Sequence, residues 1–317
     1  MQYRHLGKAG VQLSALGLGG WTTFGESVTD LARAKAIIHA AYDGGINFFD
    51  IADVYALGKA ESLMGEILAD FPRHTLVISS KVFWPMSDDV NDRGLSRKHV
   101  MESIDKSLAR IGTDYVDIYY CHRYDPGTPV EEVVRAMDDL IHQGKVLYWG
   151  TSEWPAARIA EAVGIAKQYG LYAPRVEQPQ YNLLVRERVE EQVLPVVREH
   201  GMGLTTFSPL ASGVLTGKYD DGIPEDSRLA RMEGLREHWL RDEVLERVRA
   251  LKGVADELGV TRAQLAIAWL LQREGVTSVI TGATKVEHVH DNLGALEVKI
   301  SPDILARIEA IAAGQEA

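Results

Sequence analysis

The chain of 317 residues carries 34 Lys and Arg against 45 Asp and Glu, a formal charge of −11, with 46% hydrophobic and 25% charged residues. That balance excludes a disordered or fibrous chain and repels nucleic acid and anionic lipid at long range, so no nucleic-acid partner is expected. Cys121, the sole cysteine, rules out an internal disulfide; no apolar run nears the roughly 18 residues of a membrane span, and Met1 to Gly10 hold no secretory apolar region. A cytoplasmic protein without membrane insertion is expected.

Taken in chain order, the sequence alternates short apolar strands with amphipathic helices, without linkers or short-period repeats. A hairpin, Tyr3–Leu6 against Val11–Ser14, comes first. Strands are expected near Ala15–Gly19, Asn47–Asp50, Thr75–Lys81, Val116–His122, Val146–Ser152, Arg175–Gln178, Gly203–Thr206 and Ser278–Thr281. Ser96 caps a helix with Val100, Ile104, Leu108 and Ile111 on one face, and Gly112 stops it. Thr128-Pro129-Val130-Glu131 reads as a capping box before the stripe Val130, Val133, Val134, Met137, Leu140 and Ile141, which ends at Gly144. Thr261 with Gln264 and Thr284 with Glu287 repeat the capping pattern, and Ser301-Pro302 opens the last helix. The stretch from Ser208 to Asp242 is too long for an ordinary connection, and such loops are usually functional.

Eight strand–helix units in one domain, residues 1–317, predict a (β/α)8 TIM barrel, with the hairpin as a plug at its bottom and long loops on the face where the strands end. A doubly wound sheet is the competing architecture. The run Gly17-Leu18-Gly19-Gly20-Trp21-Thr22 nearly matches its glycine fingerprint. However, Thr22 stands at the third glycine and no helix opens there, so that reading is rejected.

In a barrel, polar residues at strand C-termini face the active site. Asp50 ends the second predicted barrel strand, Lys81 the third and His122 the fourth; Tyr55 follows Asp50 on the next loop. Carbonyl reduction needs a hydride on carbon and a proton on oxygen. A tyrosine, with a pKa of about 10, is a poor donor near neutrality unless a cation stabilises its phenolate. Lys81 supplies that cation, Asp50 keeps the buried ammonium charged, and His122 orients the carbonyl oxygen. Each residue alone has a plainer reading: Asp50 as a strand-end cap, Tyr55 as packing, Lys81 as a solvated end, His122 as a structural histidine. Their placement around three successive strand ends favours the joint reading. The histidines show no metal-ligand spacing.

A second set suits a dinucleotide. Ser152 and Gln178 end the fifth and sixth strands and can bond a nicotinamide carboxamide; Tyr181 can stack on the ring. The loop from Ser208 to Lys218 can hold a diphosphate, and Gly282-Ala283-Thr284-Lys285 leads into a helix whose N-terminus favours anions. Lys285 and Arg228 then favour a 2′-phosphate, hence NADPH over NADH. For Lys218, Arg228 and Lys285 the plain alternative is surface solvation, and Cys121 reads as a small barrel filler. Trp21, Phe24, Trp84 and Trp154 are candidates for an apolar substrate mouth.

Asp50, Tyr55, Lys81 and His122 in these settings resemble the catalytic tetrad of aldo-keto reductases. The likeness runs from Leu16-Gly17-Leu18-Gly19 to Asn292, through Gly94–His99, Tyr148–Ser152, Phe207–Ala211 and Gly222–Pro224. It is nearest the potassium-channel β-subunit-like branch and its bacterial aldehyde-reductase cousins. The resemblance implies a (β/α)8 barrel, NADPH/NADP+ as cofactor, and small aldehydes and ketones as substrates. It implies cofactor contacts from Gly20, Trp21, Asp50, Ser152, Gln178, Phe207, Ser208, Leu210, Ser212, Lys218, Arg228, Gly282, Thr284, His288, Asp291 and Asn292, and it leans toward a homo-oligomer. Glu153 departs from the family's Asn or Arg; His288 and Asp291 stand where the channel branch has Gln and Glu. A channel-associated redox-sensing subunit is the alternative. Against it, that branch typically has Asn at the position of His122, and an inactivating extension before the barrel is not expected. A Schiff-base aldolase with Lys81 as nucleophile is a third reading, which Tyr55 and the cofactor-like loops oppose.

Overall fold

A computed structural model of the chain describes residues 1–315. It opens with the antiparallel hairpin β1 (Tyr3–His5) and β2 (Gln12–Ser14). Eight parallel strands then close into a barrel: β3 (Leu16–Gly19), β4 (Phe48–Asp50), β5 (Val77–Val82), β6 (Val116–Cys121), β7 (Val146–Ser152), β8 (Val176–Gln178), β9 (Gly203–Thr206) and β10 (Val276–Thr281), the last pairing back onto β3. All eight expected strands and the hairpin are present, with ends shifted by one or two residues.

Helices cover the outside, among them α1 (Leu31–Asp43), α2 (Lys59–Leu68), α3 (Arg97–Ile111), α4 (Val130–His142), α5 (Ala156–Tyr169) and α6 (Leu194–His200). Ser96 caps α3 through the His99 N–H, and Gly112 ends it in a left-handed turn. The stretch after β9 is not bare loop but carries the short helices α7 (Arg228–Arg231) and α8 (Glu233–Trp239) before α9 (Asp242–Leu258). Thr261 and Gln264 form the expected reciprocal cap of α10 (Arg262–Leu271). After β10 come α11 (Val286–Gly294) and α12 (Pro302–Ala312), the latter capped by Ser301.

Two expected caps are corrected. Pro129 is the N-cap of α4 and makes no side-chain bond there; Thr128 instead donates to Asp125 Oδ2 at 2.9 Å. Lys285, not Thr284, precedes α11, and the Thr284 hydroxyl meets His288 Nδ1 at 3.3 Å. In both cases a nearer polar partner takes the threonine before it can reach the helix N–H groups.

Strand alternation sorts side chains into two layers. Leu6 and Leu13 of the hairpin segment pack with Phe48, Val77, Ile118, Tyr120, Val176 and Ile280 inside the barrel. Tyr119 and Cys121 alternate with these and join the larger core between barrel and helices, so Cys121 fills the outer layer, not the barrel interior. Gly7 pins the plug. Its φ is +56°, and a Cβ there would lie 2.4 Å from the Gly201 carbonyl oxygen, so only glycine fits this contact with the segment entering β9. Further along β4, β5 and β8 the inward positions turn polar at Asp50, Ser79 and Gln178, and the site begins. No helix among the described residues is long and apolar enough to cross a membrane.

Candidate active site

The inward positions above the apolar plug carry charge. Lys81, on β5, is fully buried; its Nζ donates to Asp50 Oδ2 at 2.7 Å, the Ile51 carbonyl at 2.7 Å and the Tyr55 hydroxyl at 3.0 Å. That uses all three ammonium donors. Asp50, on β4, also accepts from Ser79 Oγ at 2.8 Å and Gln178 Nε2 at 2.9 Å. The His122 ring meets Tyr55 edge-on, centroids 5.8 Å apart. The four side chains that the sequence grouped thus converge at one point of the barrel mouth.

Their electrostatics differ from the sequence expectation in one respect. Burial, then the charge of Asp50, pushes the Tyr55 phenol well above its usual range, against the charge of Arg123. Tyr55 therefore stands protonated, as a proton donor must. Burial also draws Lys81 downward, against the attraction of Asp50. Burial, Lys81 and Arg123 together drive His122 well below its usual value, so its ring is neutral and carries one N–H.

From Asp50 and Tyr55 a cavity of about 530 Å3 runs outward along Phe207, Ser208, Leu210 and Ser212 to Lys218, Arg228, Arg231, Thr284, His288, Asp291 and Asn292. Trp21, Gly282 and Thr22 line its other side. Arg228, in the long connection after β9, reaches over the Trp21 ring at 5.5 Å, so loops from opposite ends of the sequence meet across the cavity. Among the described residues Lys218, Arg228 and Arg231 form no ion pair, although the chain is net acidic. Unpaired cations in a groove suit phosphate oxygens. The loop backbone is unusual too. Thr22, Ala56, Leu57, Glu153, Ser208, Ala211 and Ser212 are non-glycine residues at positive φ, and every one follows the C-terminal end of a barrel strand. Such conformations cost roughly 1–3 kcal/mol each and gather at functional sites.

Not every expected residue reaches this cavity. Tyr181 does not: its hydroxyl donates to Glu190 at 2.7 Å and its ring packs edge-on against Trp269, so the aromatic rings lining the cavity with Tyr55 are Trp21 and Phe207. Lys285 is exposed and outside the lining, because it is the turn residue entering α11. Ser152 lies behind the floor, its hydroxyl donating to the Gln178 carbonyl at 2.9 Å. Gly20 lies under the mouth, its N–H on the Asp50 carbonyl at 2.8 Å. Glu153 turns away, its carboxylate accepting the Gln180 N–H at 2.5 Å. Of the aromatic candidates, Trp21 and Trp84 are exposed, whereas Phe24 and Trp154 are fully buried and line no mouth. Sequence reasoning missed Arg123, which follows His122 directly. A cation adjoining a strand-end histidine was the available signal.

A parallel barrel with a lysine–carboxylate pair against a phenol, opening into a long cation-rimmed groove, defines a class: a barrel oxidoreductase. The chain belongs to the aldo/keto reductase family, whose model matches residues 15–313. It is similar to a probable voltage-gated potassium channel subunit beta of Arabidopsis thaliana, 50% identical over 98% of this chain and 96% of that one. The same description and identity apply to a relative from Oryza sativa subsp. japonica, over 98% of this chain and 96% of the relative. A putative voltage-gated potassium channel subunit beta of Schizosaccharomyces pombe is 43% identical over 98% of this chain and 92% of its own length.

Proposed function

We propose that this oxidoreductase uses NADPH to reduce aldehydes and ketones to alcohols, with Tyr55 as the proton donor. The observation that carries the reading is the buried Lys81 ammonium bonded at once to Asp50 and to Tyr55, at the inner end of the cavity. When bound, the reduced nicotinamide supplies the hydride that the carbonyl carbon receives. Tyr55 gives its phenolic proton to the carbonyl oxygen, and the Lys81 ammonium, 3.0 Å from that hydroxyl, stabilises the phenolate left behind. Asp50 keeps Lys81 charged in a buried site. The neutral His122 ring offers its N–H to the carbonyl oxygen and fixes the face presented.

The residues present fit the cofactor. The groove carries Asp50 and Tyr55 at one end and Lys218, Arg228 and Arg231 at the other, these three without ion-pair partners among the described residues. Those cations would hold the phosphates and favour NADPH over NADH. Tyr55→Phe is expected to lower turnover of a small aldehyde about 10²- to 10⁴-fold, the usual worth of a positioned acid, while fluorescence titration shows NADPH binding unchanged. Retained turnover would remove Tyr55 from the role.

The relatives' descriptions favour a second reading, a redox-sensing accessory subunit of a potassium channel with little turnover. Co-purification of a potassium channel from native membranes, together with no detectable NADPH oxidation across small carbonyls, would establish it over the first.

A further inference from the structure

Arg123 is a guanidinium next to the proposed proton donor without an acidic partner. It follows His122 at the end of β6, donates through one NH2 group to the His122 carbonyl, and lies 3.4 Å from Ser152 Oγ. Its carbon stands 5.7 Å from the centre of the Trp84 ring, which is itself edge-on to His122 at 6.3 Å. Among the described residues no carboxylate lies within ion-pair distance of it. The acids that act on its charge are Glu153 and Glu177. Glu153 accepts the Gln180 N–H and faces Arg188; Glu177 accepts the Thr151 hydroxyl at 2.5 Å, and its other oxygen lies 3.9 Å from Arg188. Arg123 is half-buried, and burial lowers its pKa. An arginine held this way is costly unless something answers its remaining donors. Its fork of N–H groups matches the oxygens of a carboxylate or phosphate. Trp84, 38% exposed, gives the same place an apolar wall.

We propose that Arg123 is a specificity-determining residue that selects carbonyl substrates bearing an anionic group, a carboxylate or a phosphate, near the carbonyl. The inference rests on the reductase reading and narrows its substrate class. The carbonyl oxygen sits between Tyr55 and His122, and the anionic substituent turns toward Arg123 along the face of Trp84. A bond between charged groups of this kind is worth about 10- to 100-fold in affinity.

The test compares paired substrates: butanal with succinic semialdehyde, and glycolaldehyde with glycolaldehyde phosphate. For each pair the ratio of kcat/KM is measured in the wild-type protein, Arg123→Met and Arg123→Lys. The wild-type protein is expected to favour at least one anionic member by about tenfold or more; which pair shows it tells carboxylate from phosphate. Arg123→Met should bring that ratio to near one through KM, and Arg123→Lys should restore part of it. Any general damage affects both members of a pair and cancels in the ratio. No anionic preference in the wild type, or a preference that survives Arg123→Met, overturns the proposal. Calorimetry of 4-hydroxybutyrate against 1-butanol, and of phosphoglycol against ethylene glycol, on the NADP+-loaded protein separates the two readings. If no aldehyde turns over, the reductase reading fails, and the anion site stands or falls on whether binding of the anionic alcohol weakens in Arg123→Met.

Discussion

The two ends of the barrel are built on opposite principles. At the hairpin end the interior is apolar, and Leu6 and Leu13 close it against Phe48, Val77 and Ile118. Two to four residues further along, the interior holds Asp50, Ser79, Lys81 and Gln178, in hydrogen bonds that cross from β4 to β8. The backbone divides likewise: among the described residues, the seven non-glycine residues at positive φ lie on the loops of the charged end. Stability is gathered at one end and spent at the other, which lets the loops of the mouth hold conformations that the plugged end never needs.

That contrast can be broken at either end. The largest effect is expected from Lys81→Met, which leaves the Asp50 carboxylate buried with only Ser79 and Gln178 as donors. Removing one member of a buried pair costs about 3–5 kcal/mol, so denaturant melts should shift strongly and aldehyde turnover should be lost as well. Leu13→Ala is the matching experiment at the plug. It should cost about 2–5 kcal/mol of stability yet leave kcat near its original value once the protein is folded. A comparable loss of kcat would mean that the two ends are not independent.

The next effect concerns Asp53, fully buried beside Glu61, with Ser103 Oγ and the Val54 N–H on its carboxylate. Burial, then the charge of Glu61, raises its pKa from 3.8 to about 7. A carboxyl raised in the folded state binds its proton more tightly there than when unfolded. Its contribution is therefore most favourable below pH 3.8 and is lost as pH rises to about 7. Asp53→Asn should accordingly be more stable than the parent at pH 8, with the gap closing as pH falls from 7 toward 4 in thermal melts. A gap independent of pH would show that Asp53 does not titrate in this window. The smallest effect is expected from Leu57→Gly. Leu57 is 68% exposed with φ of 53°, so glycine relieves strain at little packing cost, and a gain of up to about 1 kcal/mol should appear.

Much of the site was legible because barrel geometry turns position in the sequence into position in space. A polar residue that ends a parallel strand must emerge at the mouth, and Asp50, Lys81 and His122 do so with Tyr55 beside them. Phe207, Lys218 and Arg228 were legible for a related reason, since the loop after the seventh barrel strand returns over the mouth. Tyr181 was not. It lies only three residues beyond Gln178, yet its direction is set by Glu190 and Trp269, and no local pattern carries those partners. Trp154 and Phe24 misled for the same reason, because an aromatic ring beside a functional loop is as readily core as mouth.

The amino-acid sequence by itself determined the number and order of the barrel strands and the side chains at their ends, because periodicity is a local property. Only the tertiary structure decided which charges cancel. Asp50 pairs with Lys81 at 2.7 Å, and among the described residues Arg123 is left without a salt-bridge partner. Electrostatic energy depends on distance and burial, and both are fixed by strands far apart in the chain closing around one interior.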